Sequence, residues 1–220
     1  MKKLIIIISS VLIFAGIAYF IYRQSRPPIK IAFFGDSITD IRWQKDGGYV
    51  IPAVYSLNMA GYKVIPIYAG KAGNTTTDML RRLNYDVIQY NPDVVFFMGG
   101  INDVWKNRVE FDQSKQNISE IINRFKQNGI KLIIISLTLV TEDVNCPKNK
   151  EVDRYNEFLK EITAQNDIQY IDVNKVFKEE LKKYDNPYGV LTTDGIHLNK
   201  YGNKILAQTL VKEFLKEYKK

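Results

Sequence analysis

The sequence predicts an α/β fold, a doubly wound parallel sheet of five strands, preceded by an N-terminal transmembrane helix. Three observations carry this. Five short apolar, β-branched runs alternate with longer amphipathic stretches over about 190 residues, which is how helices come to cover both faces of a parallel sheet. Polar groups of catalytic type gather where those runs end. Ahead of them, residues 4–22 form a run of 19 without a charge.

The chain has 220 residues, 45% of them hydrophobic, enough for one globular core. One cysteine, Cys146, excludes an internal disulfide framework, and one cysteine with one histidine excludes a His/Cys zinc cage. The formal charge of +7 comes from lysines spread along the chain. In the tail they alternate with Glu213 and Glu217, the pattern of a solvated helix face, and no nucleic-acid motif accompanies them. The charge fits a weak attraction to anionic membrane or cell-wall polymers.

As a helix, residues 4–22 would span roughly 28 Å, close to the hydrocarbon thickness of a bilayer. Gly16 and Ala18 would suit a signal-peptidase site, but Tyr19-Phe20-Ile21-Tyr22 continues the apolar run past them. The expectation is an uncleaved, single-pass anchor over residues 1–22, with the catalytic domain outside; secretion after cleavage is the alternative. Lys2 and Lys3 upstream are balanced by Arg23, Arg26 and Lys30 downstream, so charge does not choose the side. Residues 23–28, ending in Pro27-Pro28, read as a stiff linker, and residues 29–220 as the domain.

Within the domain, strands are expected at 30–34, 63–68, 93–98, 131–136 and 168–172, short runs suited to burial on both faces. Helices are expected at 49–59, 76–89, 113–128, 150–165, 173–183 and 200–218. Gly61, Asn91-Pro92 and Asn128-Gly129 stop the first three, and Asn199 is placed to cap the last. The segment 137–149 is long for a connection in such a domain and reads as either a lid or an irregular surface loop.

Open α/β sheets bind ligands beyond the carboxyl ends of their strands. The first strand ends in Gly35-Asp36-Ser37, where Ser37 is a candidate nucleophile, although Gly, Asp and Ser are also ordinary turn residues. A serine needs a base, usually a histidine oriented by a carboxylate, and His197 is the one histidine. Asp194 lies three residues before it, with Gly195 between them to let the backbone turn. A developing oxyanion needs donors, which the backbone of Gly73 and the side chain of Asn102, both after strand ends, are able to supply. Trp43, Trp105, Tyr184 and Tyr188 lie near these loops and are able to stack on a sugar or line an acyl pocket, but the area that aromatic side chains bury makes plain packing the expectation for each.

Together, Gly35-Asp36-Ser37-Ile38, Gly73, Gly100-Ile101-Asn102-Asp103 and Asp194-Gly195-Ile196-His197 resemble the four signature blocks of the SGNH (GDSL-type) hydrolases, in order and across the whole domain. The resemblance implies a flavodoxin-like sheet in strand order 2-1-3-4-5, with Ser37 as nucleophile, His197 as base and Asp194 as its orienting acid. It implies an oxyanion hole from the Ser37 and Gly73 amides and the Asn102 side chain, with no metal or other cofactor. Asp36, Trp43 and Trp105 would then line the substrate.

Two positions depart from the family pattern. Asp40-Ile41-Arg42-Trp43 stands where a small residue and a glycine are common, and Leu198 where proline is common.

The expected function is hydrolysis of carboxylic esters through an acyl-enzyme, on acetyl esters of cell-surface saccharides, with acyl-lipid esters as the alternative substrate. A catalytically silent binding protein on the same fold is one rival. A phosphatase holding magnesium through Asp36, Asp40 and Asp194 is another, disfavoured because no phosphate-cradling glycine-lysine loop is present. The sequence carries no signal of oligomeric state.

Overall fold

The computed structural model describes residues 27–218, together with Gly16 and Ser25. The anchor expected at 1–22 therefore falls, Gly16 apart, outside the described residues. Among the described residues no helix is long and apolar enough to cross a membrane.

In chain order the domain runs β1 (Ile29–Gly35), α1 (Val50–Met59), β2 (Val64–Gly70), α2 (Thr76–Asp86), β3 (Val94–Met98), α3 (Ile101–Trp105), α4 (Phe111–Gln127), β4 (Lys131–Ile135), α5 (Pro147–Gln165), β5 (Gln169–Ile171), α6 (Val173–Leu181) and α7 (Lys200–Glu217). All neighbouring strands pair in parallel, in the order β2-β1-β3-β4-β5. The order reverses at β1, so the crevice beside its carboxyl end is the topological switch point, where such sheets hold ligands. Ser37 follows that end directly.

The central strands are buried on both faces, which is why they read as continuous apolar runs rather than alternating ones. Phe33 pairs in register with Phe96, and Phe34 with Phe97. Their side chains point to opposite faces. Phe33 and Phe96 meet Tyr49 and Phe214 on the side of α1 and α7. Phe34 and Phe97 meet Phe125 of α4 on the other. Each such ring contributes roughly 2 to 3 kcal/mol of burial.

The helix entries are chemically specified. Thr75 and Asp78 form a reciprocal capping box at α2, Asp172 accepts from the Lys175 amide at α6, and Asn199 accepts from the Tyr201 and Gly202 amides at α7, as its position predicts. Two elements differ from the expectation. The third helical region begins with a separate short helix, α3, at Ile101, because Gly100 permits a turn that a Cβ would close against the Tyr155 hydroxyl. The second helix stops at Asp86 and passes through a 3-10 turn, Ile88–Tyr90, before the left-handed Asn91.

The segment 137–149 is no lid. Leu137, Thr138, Leu139 and Val140 are buried, and Asn149 and Asn156 hydrogen-bond its backbone at Val140 and Leu137.

Replacing Phe96 by Ala removes the ring that joins β1 to α7, and is expected to cost about 3 to 5 kcal/mol. Urea unfolding measures this; a loss under about 1 kcal/mol would contradict the two-face core described here.

Candidate active site

The end of β1 meets the end of β2 at an unusually close approach. Gly35 pairs with Gly70, and a Cβ on Gly70 would lie 2.4 Å from the backbone of Thr39 and Asp40. The chain carrying Ser37 therefore folds flat across the strand ends. Thr39 and Asp40 amides both return to the Asp36 carbonyl, and the buried Gln44 side chain donates to the Ser37 carbonyl at 2.9 Å.

Ser37 is 5% exposed, and its Oγ lies 3.0 Å from His197 Nε2. On the other side of the imidazole, Nδ1 lies 2.6 Å from Asp194 Oδ2. Asp194 Oδ1 accepts the Ile196 and His197 amides at 3.1 and 2.8 Å. Gly195, at φ 93°, makes that three-residue turn possible. Burial pushes the Asp194 carboxyl up, but the hydrogen bonds from the His197 side chain and from the two amides outweigh it, and the acid is held below its usual range. An ionised Asp194 fixes the Nδ1–H tautomer, leaving Nε2 to accept from the serine hydroxyl.

The oxyanion donors implied by the resemblance also come together. Asn102, buried on the first turn of α3, donates from Nδ2 to the Asn74 carbonyl at 3.0 Å, which sets its amide against the Gly73 loop and leaves its second N–H free. Neither the Ser37 nor the Gly73 amide donates to another group among the described residues.

Several supporting residues carry no local motif. Asp103 accepts from the Thr76 amide and hydroxyl at 3.0 and 2.5 Å and from the Ser114 hydroxyl at 2.7 Å, tying the Asn102 helix to the start of α2. Arg82 donates to the Asn74 side chain and to the carbonyls of Gly35 and Ala69, so one guanidinium joins both strand ends to the oxyanion loop. Asp40 bridges the same two loops, taking Arg42 and the Ala72 amide. Glu142, 2% exposed, accepts the amides of Gly189, Leu191 and Thr192, and braces the hairpin that carries Asp194 and His197. Asp40 and Asp103 share one signal, a polar residue in an otherwise buried stretch, whereas Arg82 and Glu142 carry none.

Two sequence expectations are corrected. Asp36 is 1% exposed, so it lies beneath the serine and does not line the substrate. The aromatic residues are not packed away: Trp43 is 61% exposed with its ring centroid 6.0 Å from that of His197, and Trp105, Tyr184 and Tyr188 are exposed too. Asp36, Asp40 and Asp194 do not converge as a metal site would require. Asp40 is committed to Arg42 and Asp194 to His197, and no group of three or more metal-binding side chains exists among the described residues.

Residues 33–205 match the GDSL-like lipase/acylhydrolase family. An acetylxylan esterase of Geobacillus stearothermophilus is 29% identical over 206 residues, covering 84% of this chain and 93% of that protein. The crystal structure of Axe2, an acetylxylan esterase from Geobacillus stearothermophilus, superposes with a TM-score of 0.77 at 27% identity, covering 84% of this chain and 93% of that one. A second acetyl xylan esterase, AlAXEase, gives 0.76 at 28% identity, covering 84% and 98%. An N-acylneuraminate cytidylyltransferase of Streptococcus agalactiae serotype V is 29% identical over 151 residues, 68% of this chain and 34% of that protein.

Asp36 gives this site a pH signature. Burial raises its carboxyl to about 7, against smaller lowering contributions from the Ile38 amide, His197 and Arg82, and its Oδ2 has no hydrogen-bond partner among the described residues. Above the ordinary value of 3.8 the unfolded chain releases this proton while the folded chain keeps it, so stability falls as pH rises toward 7 and then levels. Asp36→Asn is expected to remove that loss, so its stability relative to wild type rises by on the order of a few kcal/mol between about pH 4 and pH 8. Parallel stability curves for the two proteins across that range would refute the buried, protonated Asp36.

Proposed function

The chain belongs to the GDSL-like lipase/acylhydrolase family and is a carboxylic ester hydrolase, and we propose that it is a serine esterase that removes acetyl groups from saccharides through an acetyl-enzyme on Ser37. The observation that carries this reading is the unbroken line Ser37 Oγ, His197, Asp194, at 3.0 and 2.6 Å.

In the first half-reaction, Ser37 Oγ attacks the ester carbonyl carbon as its proton passes to His197 Nε2. The negative charge that forms on the carbonyl oxygen is met by the Ser37 and Gly73 amides and the free N–H of Asn102. Asp194 stabilises the imidazolium without taking its proton. When the carbon–oxygen bond to the sugar breaks, His197 returns the proton to the leaving oxygen and the acetyl group stays on Ser37. Water then repeats the sequence, activated by the same imidazole, and acetate leaves.

Acetyl esters of saccharides are supported by the acetylxylan esterases, which share most of their length with this chain. Solved structures of the Geobacillus enzyme include forms described as catalytic mutants at a serine, an aspartate and a histidine. Exposed aromatic surface at Trp43 beside His197 further suits a sugar. We place the enzyme at the membrane, with residues 1–22 as anchor and the domain outside; protease treatment of intact cells is expected to digest it.

A fluorophosphonate probe is expected to label wild type and not Ser37→Ala. Labelling that persists in the variant refutes the nucleophile, and no labelling of wild type indicates a silent binding protein. His197→Ala is expected to lower turnover by about three orders of magnitude or more, the scale of removing one member of such a triad. Across nitrophenyl esters, acetyl is expected to be turned over faster than long acyl chains; the reverse order identifies an acyl-lipid esterase.

A further inference from the structure

The outer side of α1 differs from every other helix surface of the domain. Residues 47–62 carry no charge, and among the described α-helices α1 alone has no charged side chain. Ile51, Tyr55 and Met59 follow one another at four-residue intervals and so form one stripe. They are 41%, 65% and 62% exposed. Beyond the Tyr55 hydroxyl, the polar side chains of α1 are Ser56 and Asn58, both half-buried, and Asn58 is committed to the Val64 amide. Tyr68 extends this apolar surface toward the sheet edge: it pairs in register with Phe33, so it stands on the same sheet face as α1, and it too is exposed.

Single exposed aromatic residues are ordinary, but a solvated helix interrupts its outer face with charges. The helices of the opposite sheet face do so. On α2, whose Arg82 lies over the Phe34 ring, Arg81 pairs with Asp78, and on α4 Arg124 pairs with Glu120.

The place where the chain enters the domain indicates what covers α1. Residues 4–22, the uncharged run proposed above as the anchor, are followed by six residues and then Ile29. The Ile29 amide donates to the Lys63 carbonyl at 2.8 Å, and the next amide, of Val64, donates to Asn58 at 3.0 Å. The chain therefore joins the domain at the corner where α1 ends. Six residues reach at most about 20 Å, and a ten-residue helix such as α1 is about 15 Å long. A bilayer that holds residue 22 is thus within reach of the whole stripe. Lys45 precedes α1, Lys63 follows it, and Lys204 shares a cavity wall with Pro52, so cations flank the apolar surface where anionic headgroups would lie. Tyrosine beside aliphatic side chains suits that boundary.

We propose that α1 lies on the bilayer that holds residues 4–22, with Ile51, Tyr55 and Met59 at the lipid boundary. This rests on the membrane placement proposed above and deepens it. The strands then run along the membrane, and the crevice at their carboxyl ends opens beside the lipid surface instead of away from it. The ester that reaches Ser37 is one carried close to the membrane.

The test uses the full chain in a Cys146→Ser background with one new cysteine, Ile51→Cys, Tyr55→Cys, Met59→Cys or Asn123→Cys, the last exposed on α4 at the opposite sheet face. Each protein is labelled with an environment-sensitive fluorophore and reconstituted into vesicles of phosphatidylcholine and phosphatidylglycerol that carry a nitroxide near the headgroup. Quenching at 51, 55 and 59 is expected to exceed that at 123 by about threefold or more. The three α1 positions are exposed and are read separately, so one misfolded variant does not decide the result. Equal quenching at 55 and 123 overturns the proposal. So does quenching at 59 alone, because the domain then stands on its end. Energy transfer between labelled copies without lipid quenching overturns it in favour of a second copy of this chain on α1. A chain that fails to float with the vesicles defeats the membrane placement itself, a result distinct from a floating chain whose α1 is not quenched.

Discussion

One imidazole joins two parts of the chain that are 160 residues apart, and the architecture around it serves to make that meeting reproducible. Ser37 is easily fixed, since it follows a strand buried from Ile31 to Gly35, and its chain lies flat over two glycines. His197 is the harder problem, because it sits on an irregular hairpin between α6 and α7 with no strand to hold it. Glu142 solves it from one side by taking three hairpin amides. Asn199 solves it from the other: its Nδ2 donates to the Gly189 and Val190 carbonyls while its Oδ1 caps α7. The hairpin is thus hung between a buried carboxylate and a helix end, and the imidazole needs only Asp194 to orient it.

Buried acids divide the remaining work. Asp103 meets hydroxyls and an amide rather than a cation, and burial raises its carboxyl despite those donors. It connects α3 to α2, and the Asn102 side chain is in turn bonded to the Asn74 carbonyl beside Gly73. Asp40 is held below its usual range, since its hydrogen bonds with Arg42 and the Ala72 amide overcome the desolvation that opposes them. Asp36 has only the Ile38 amide and stays protonated to near neutrality, which keeps a second full negative charge away from the serine. Of these three carboxyls near the site, burial raises Asp36 and Asp103, while donors hold Asp40 low.

What was legible in the sequence was whatever is decided locally. Apolar runs located all five strands, Asn199 located the entry of α7, and polar residues at strand ends and before the last helix pointed to Ser37, Asn102, Asp194 and His197, which the fold brings together. What was not legible depends on partners distant in the chain. Glu142 looks like any acid in a loop until three amides from residues 189–192 surround it, and the stretch around it therefore read as either a lid or an irregular surface loop. Asp36 looked like a cleft residue because its neighbour is one, yet the fold turns its carboxyl inward. The exposure of Trp43 was likewise invisible, since aromatic residues usually disappear into cores and only the turn from Asp40 lifts this one out.

That turn is also where the chain leaves the family pattern, and its chemistry explains how a departure there leaves the reacting atoms intact. The Asp40 carboxylate holds the oxyanion loop through the Ala72 amide. The Asp40 carbonyl, on the same residue, accepts the Trp43 and Gln44 amides, and Gln44 in turn holds the Ser37 carbonyl. One residue therefore ties the Ala72 loop to the turn that carries Trp43 and, through Gln44, to Ser37. A glycine at such a place would leave the turn without its side-chain clamp, whereas an aspartate permits a large residue three positions later to stand exposed beside the imidazole. The departure thus falls beside the imidazole, at Trp43, while the Ser37 carbonyl, the Ala72 amide and the Asn102 side chain keep the hydrogen bonds that hold their loops together.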